Sequence, residues 1–190
     1  MSSSFASSGE QLSLTKIWKW YEETEQAIDI YQQEVTHALV SGKCVSETFS
    51  GMTRKDINPY FFQHKKELEQ LVSLNLMASA EASLRLDYLR RVLRGRKKKN
   101  KIDKIFKDLY NQKGNRANLR DDILEMWKTV HPECTNSVGD FRGALNVRDW
   151  LAHGRYWTPN FGRKYGAALI FNISKDLFDS FPYDFSWATG

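Results

Sequence analysis

Ten residues late in the chain, Arg148-Asp149-Trp150-Leu151-Ala152-His153-Gly154-Arg155-Tyr156-Trp157, concentrate the side chains best suited to chemistry. Arginine is always charged, and its planar fork grips phosphate oxygens in pairs. Histidine titrates near neutrality, at about pH 6.5 when unperturbed. A base that takes a 2′-hydroxyl proton and a cation that steadies the crowded phosphorane can together cleave RNA without a metal. Spacing sets a condition on this pair. Five positions along a helix turn by about 140°, so Arg148 and His153 do not share a face mid-helix. They converge only if His153 lies at a helix end, or if two copies of the helix meet across an interface. Gly154 fits the first condition as the residue just past a helix end, where the helix dipole favours a cation. The plainer alternative is a surface arginine and a histidine that merely caps carbonyls, and for an isolated Arg…His pair that alternative is the stronger.

Other chemistries find less. His37, His64, His131 and His153 are scattered, without His-x-His or His-Glu-x-x-His spacing, and there is no Cys-x-x-Cys. No metal site is expected. Asp121-Asp122 opens a helix, where acids suit the dipole in any case. No glycine-rich loop follows a strand, which argues against a P-loop enzyme. Cys44 and Cys134 read as small packed residues rather than nucleophiles. Two cysteines make no disulfide framework, so the expected compartment is a reducing cytoplasm. The first residues carry neither a basic region nor an apolar core of a secretory signal, and no apolar run is long enough to span a membrane.

The chain has 190 residues and a net charge of +5, a length for one domain with its own core. The charge is unevenly placed. Residues 85–117 hold thirteen Lys/Arg and three acids, a segment of +10, so the remainder sums to −5. A polyanion would feel such a block. The bland reading is a solvated hinge between helices, and from the charge alone that reading is slightly favoured.

These side chains need a scaffold, and the apolar periodicity supplies a helical one. Residues 1–12 read as a disordered Ser-rich lead, 13–181 as one helical domain, and 182–190 as a C-terminal tail. A first helix starts near Ser13 or Thr15 and ends near Ser41-Gly42. Residues 41–57 read as a loop. Asn58-Pro59 is the expected cap of a long central helix, which runs to the Arg94-Gly95-Arg96 break. Shorter helices follow over roughly 101–112 and 118–131. Ser137 is the expected cap of the helix that carries Arg148. The apolar run Ala167–Phe171 reads as strand or helix, and Asn172 or Ser174 as the cap of a last helix stopped by Pro182. No alternating strand pattern is sustained, so the fold class is all-α.

The stretch from Arg148 to Trp157, with Pro159, Gly162, Arg163, Lys164 and Tyr165 after it, resembles the HEPN superfamily. The likeness is to the branch related to the HEPN domain of ribonuclease L, found in many small bacterial proteins. The match covers about residues 141–166. It rests on the Arg-x4-His motif at the end of a late helix, with Asp149 after the arginine. The resemblance implies a HEPN-like bundle that works as a homodimer, with Arg and His of both copies lining one cleft. It implies a metal-independent endoribonuclease, needing no cofactor, that leaves 2′,3′-cyclic phosphate and 5′-hydroxyl ends. Arg148 and His153 would be the catalytic pair and Asp149 the orienting residue. The intact pair implies an active copy, and many such proteins are toxins or antiviral effectors, some held by an antitoxin or regulatory subunit.

Around that core, Arg155, Arg163 and Lys164 are candidates for flanking phosphates, with idle loop cations nearly as good a reading. Arg94, Arg96, Lys97, Lys98 and Lys99 are candidates for the RNA backbone, or for an acidic partner protein. Tyr156 and Trp157 could stack an unpaired base, but packing behind the motif helix is the better expectation. Glu81 and Arg85 form an i,i+4 pair that either supports the cleft or is an ordinary surface pair, the latter favoured. Two rival functions stay open: a non-catalytic module binding RNA, nucleotide or a regulatory partner, and a purely structural helical interaction domain.

Overall fold

The computed structural model describes residues 8–94 and 100–190. Among them lie seven α-helices and no strand, an all-α fold. Helix α1 (Leu14–Val40) begins where the Ser13 hydroxyl accepts from the Lys16 N–H. Helix α2 (Arg54–Leu93) has forty residues, about 60 Å at 1.5 Å each. Its start departs from the expected Asn58-Pro59 cap. Thr53 donates from its N–H and its hydroxyl to Asp56 at 2.8 and 2.6 Å, which opens the helix one turn earlier. Pro59 then lies inside α2, where it lacks the N–H that would reach the carbonyl four residues back.

Leu68, Val72, Leu76, Ala80, Leu84 and Tyr88 recur along one side of α2 and are all buried. That stripe is the spine of the core. Helices α1, α3 (Lys101–Lys113), α5 (Thr135–Ala152) and α6 (Ala167–Ser180) all pack on α2. A smaller apolar cluster of Val35, Phe49, Ile57 and Phe61 closes the far end of the α1–α2 pair.

Between α3 and α5 the chain makes a π-helical turn (Leu119–Ile123), capped by Asn118, and runs on as α4 (Leu124–Val130). A 3-10 turn at Pro132–Cys134 leads into α5, and the Thr135 hydroxyl donates to the Pro132 carbonyl. Ser137 therefore lies within the first turn of α5 and is not its cap. Helix α6 likewise starts at Ala167 after Gly166, so Asn172 and Ser174 are interior. Ser174 donates its hydroxyl to the Ile170 carbonyl inside the helix at 2.8 Å.

Ordered contacts extend past the expected domain limits, at residues 11–12 and 183–190. Gln11 donates to the Ser79 carbonyl and Ser79 donates to the Leu12 carbonyl, while residues 1–7 lie outside the described ones. At the other end, Phe185 and Ala188 are buried, and α7 (Ser186–Thr189) closes the chain. Trp127 stacks on Phe181 at 4.1 Å.

The basic block is less uniform than its composition. Arg91 is only 2% exposed. It bonds Asp87 at 2.7 Å and Asp103 at 3.1 Å and lies over the Tyr183 ring. It is a structural cation. Asp103 also caps the start of α3 with Asn100. No helix of the described residues is long and apolar enough to cross a membrane.

Candidate functional site

The end of α5 is built by backbone chemistry. The His153 N–H donates to the Asp149 carbonyl, Gly154 to Leu151 and Arg155 to Trp150, the paired bonds of a Schellman ending. Gly154 sits at φ +81° and Arg155 at +59°. Glycine accepts that conformation without steric cost, whereas arginine does not. His153 thus occupies the helix end, as the spacing of the pair requires. Its imidazole is exposed and makes no hydrogen bond among the described residues. No hydrogen bond or ion pair among them joins His153 to Arg148.

Arg148 is held firmly. Nη2 meets Glu81 Oε2 at 2.7 Å and Nη1 meets Asp149 Oδ1 at 3.0 Å. Its Nε is buried without a hydrogen-bond partner among the described residues. Glu81 gives its other oxygen to Arg85 at 3.2 Å, and Asp149 gives Oδ2 to Arg120 at 3.4 Å. Arg120 also donates to Asn146 at 2.8 Å. The result is an alternating chain, Arg85–Glu81–Arg148–Asp149–Arg120, with one positive charge in excess. It lines a groove of about 270 Å³ between α2, the π-helical turn and α5. π-Helical turns of this kind are frequent at functional sites. Among the described residues, no three His, Cys, Asp or Glu gather as a metal site would need.

Residue type and spacing do not mark Arg120. Its only signal was the polar run Asn118-Leu119-Arg120-Asp121-Asp122 at a helix start. Asn118 Oδ1 accepts from the Arg120 and Asp121 N–H groups, and Arg142 donates to the Arg120 carbonyl and, at 2.8 Å, to Glu125. Those bonds aim Arg120 across at α5. Glu81 now has a clear place too. It is more than the surface partner of Arg85, because it fixes Arg148.

The loop over 154–166 carries the other candidates. Arg155 is engaged by Glu67 at 2.8 and 2.9 Å and by Gln70, and it draws the Glu67 carboxyl below its ordinary range. Arg163 bonds Asp140 at 2.9 Å and lies 4.8 Å from the Tyr165 ring centre. Lys164 is exposed without a hydrogen bond or ion pair among the described residues. Tyr156 is 83% exposed and meets Trp157 edge-on at 4.7 Å. The expectation that these two rings pack behind the motif helix is therefore wrong. The left-handed turn at Gly154 and Arg155 carries the chain off the end of α5, and the Trp157 carbonyl is pinned by Trp150 Nε1 at 2.8 Å. Arg94 pairs with buried Asp103 at 3.3 Å. Arg96, Lys97, Lys98 and Lys99 lie outside the described residues.

Comparisons with protein-family models, with curated proteins and with solved structures found no match for this chain.

Proposed function

We propose that this chain is a metal-independent endoribonuclease of HEPN type, acting as a homodimer in the cytoplasm. The observation that carries the reading is the clamp on Arg148. Two carboxylates from different helices fix its guanidinium beside a groove where Arg85, Arg120 and Arg148 stand among Glu81, Asp121 and Asp149. A cation already oriented needs no reorganisation as charge builds on phosphorus.

In this mechanism His153 takes the proton from a 2′-hydroxyl. The 2′-oxygen bonds to phosphorus while Arg148 holds the non-bridging oxygens. The bond from phosphorus to the 5′-oxygen breaks. The leaving oxygen takes a proton from the equivalent histidine of the second copy. The products are a 2′,3′-cyclic phosphate and a 5′-hydroxyl, so atoms and protons balance without a bound metal. Arg155, Arg163 and Lys164 on the 154–166 loop, and the basic segment around Arg94, would hold flanking phosphates. In such a role Arg155 would exchange Glu67 for RNA.

The dimer supplies what one copy lacks, since no bond links its own Arg148 and His153. Helix α2 offers a surface for it. Leu71, Asn75, Ala78 and Ala82 follow at three and four residues on its outer side, and Leu71 is 61% exposed. Leu71, Asn75 and Ala78 lie between Glu67, which holds Arg155, and Glu81, which holds Arg148. A second copy on this stripe would bring the two α5 ends together. Biologically, a toxin or antiviral effector, restrained by an antitoxin or regulatory subunit, fits such an activity.

The test is cleavage of RNA by purified protein in EDTA. Arg148→Ala and His153→Ala should each lower the rate by about a hundredfold or more, with helical content unchanged by circular dichroism. Full activity in both variants, or activity lost with EDTA, sinks the mechanism. Tight RNA binding without any cleavage would make the chain a binding module instead.

A further inference from the structure

On the other side of α5 from the arginine groove lies a second groove, of about 420 Å³. Trp150 stands about 200° around α5 from Arg148, and His153 about 140°, so His153 falls between the two grooves. The walls of the second groove are aromatic. Phe161 meets Trp150 edge-on at 5.9 Å and Tyr165 edge-on at 6.0 Å. Tyr165 is seated against α5 where Gly143 leaves room for its hydroxyl. Phe62, 63% exposed, stands at the rim.

The polar groups sort into two kinds. Lys66 and Lys164 line the groove, are exposed and make no ion pair or hydrogen bond among the described residues. Lys65 is already neutralised by Asp29. Glu25 and Glu69 supply carboxylate oxygens. Tyr21 donates to Glu25 at 3.3 Å, and burial, with Glu25 and Glu69 nearby, pushes the Tyr21 hydroxyl up to about pH 12. Tyr21 therefore remains a donor; Glu25 Oε1 accepts from it and Glu69 Oε1 accepts from the Ala167 N–H at 3.4 Å, so each carboxylate brings its second oxygen to a ligand.

We propose that this groove is a nucleotide-binding subsite that takes one unpaired base and prefers guanine to uracil. The base lies against the Trp150–Phe161–Tyr165 wall, and its phosphate is met by Lys66 and Lys164. Aromatic faces bind any base by stacking. The carboxylates add the choice. Guanine presents N1–H and N2–H2 side by side, two donors for one carboxylate. Uracil presents a single N–H flanked by two carbonyl oxygens, which a carboxylate repels. The volume suits a nucleotide-sized ligand. The proposal rests on the endoribonuclease reading only for its place beside the scissile bond; the subsite itself requires no cleavage.

The probes are guanosine 5′-monophosphate and uridine 5′-monophosphate, titrated into the full chain with tryptophan fluorescence as the readout. Guanosine monophosphate should bind saturably and about tenfold more tightly than uridine monophosphate. The double variant Lys66→Ala/Lys164→Ala should weaken it about tenfold, and Glu25→Gln should narrow the preference between bases. Absence of saturable binding, unchanged binding in the double variant, or equal affinity for both nucleotides overturns the subsite. RNA cleavage by the same preparation is scored separately. Guanosine monophosphate binding without cleavage keeps the subsite and removes the nuclease. Cleavage without that binding does the reverse.

Discussion

At the scale of single residues the account turns on Arg148, and Arg148 depends on Glu81. Changing Glu81→Gln keeps the shape but removes one of two charges that fix the guanidinium. Cleavage should fall about tenfold to a hundredfold in kcat with little change in KM, because a positioning loss is felt mainly in the transition state. Steady-state kinetics on a short RNA checks it, and unchanged kcat would reduce Glu81 to an ordinary partner of Arg85. Residue type and spacing marked Arg148 and His153 only weakly; the family resemblance singled the pair out and added Asp149. Neither could reveal the second partner of Glu81, because Arg148 lies 67 positions away and only the crossing of α2 and α5 joins them. Arg120 was hidden for a related reason. At a helix start Arg-Asp-Asp reads as charge for the dipole, and only the π-helical turn aims the arginine at Asp149.

At the scale of elements, the 154–166 loop is a fastened structure. Arg155 ties it to α2, while Arg163 and Tyr165 tie it to α5. A Cβ at Gly143 would collide with the Tyr165 hydroxyl. Gly143→Ala, usually favourable in a helix interior, should here release the loop and raise KM for RNA several-fold while helical content holds. Unchanged KM would show that the seat of Tyr165 is unimportant. The π-helical turn has its own pin. Asp122 accepts from Lys113 at 2.6 Å and from the Asn118 N–H at 2.7 Å, and the Lys113 bond first, then that N–H, hold its carboxyl below the ordinary 3.8. A depressed carboxyl stabilises the fold above its unfolded pKa, and the gain is lost as pH falls through the folded value. Asp122→Asn should therefore lower the urea midpoint at neutral pH, and the gap from wild type should close below about pH 3.8. A gap that persists in acid contradicts this. Most helices were legible from apolar periodicity, including a first start placed near Ser13 or Thr15 and the glycine after α5. Their starts were less so. Thr53 with Asp56 outcompeted Asn58-Pro59, and the Pro132–Cys134 turn fed α5 before Ser137 was reached.

At the scale of the whole molecule, charge and surface decide what assembles. The basic segment looked like one patch by composition, yet Arg91 is buried between two aspartates and helps hold α2 to α3. Burial of a paired arginine leaves no mark in a sequence, which is why the block appeared uniform. The exposed stripe on α2 makes a further prediction. Leu71→Glu should convert a dimer to a monomer in analytical ultracentrifugation and abolish cleavage while the helices persist. A dimer that survives the change, or a monomer that still cuts, would place the partner elsewhere.

The central claim is that Arg148 and His153 cleave RNA through its own 2′-hydroxyl. End-group analysis of the fragments made from total RNA in EDTA tests it most directly. The wild-type protein should leave 2′,3′-cyclic phosphate and 5′-hydroxyl ends, and Arg148→Ala and His153→Ala should leave the RNA intact. Fragments with 5′-phosphate ends, or RNA left whole by the wild-type protein, would contradict it.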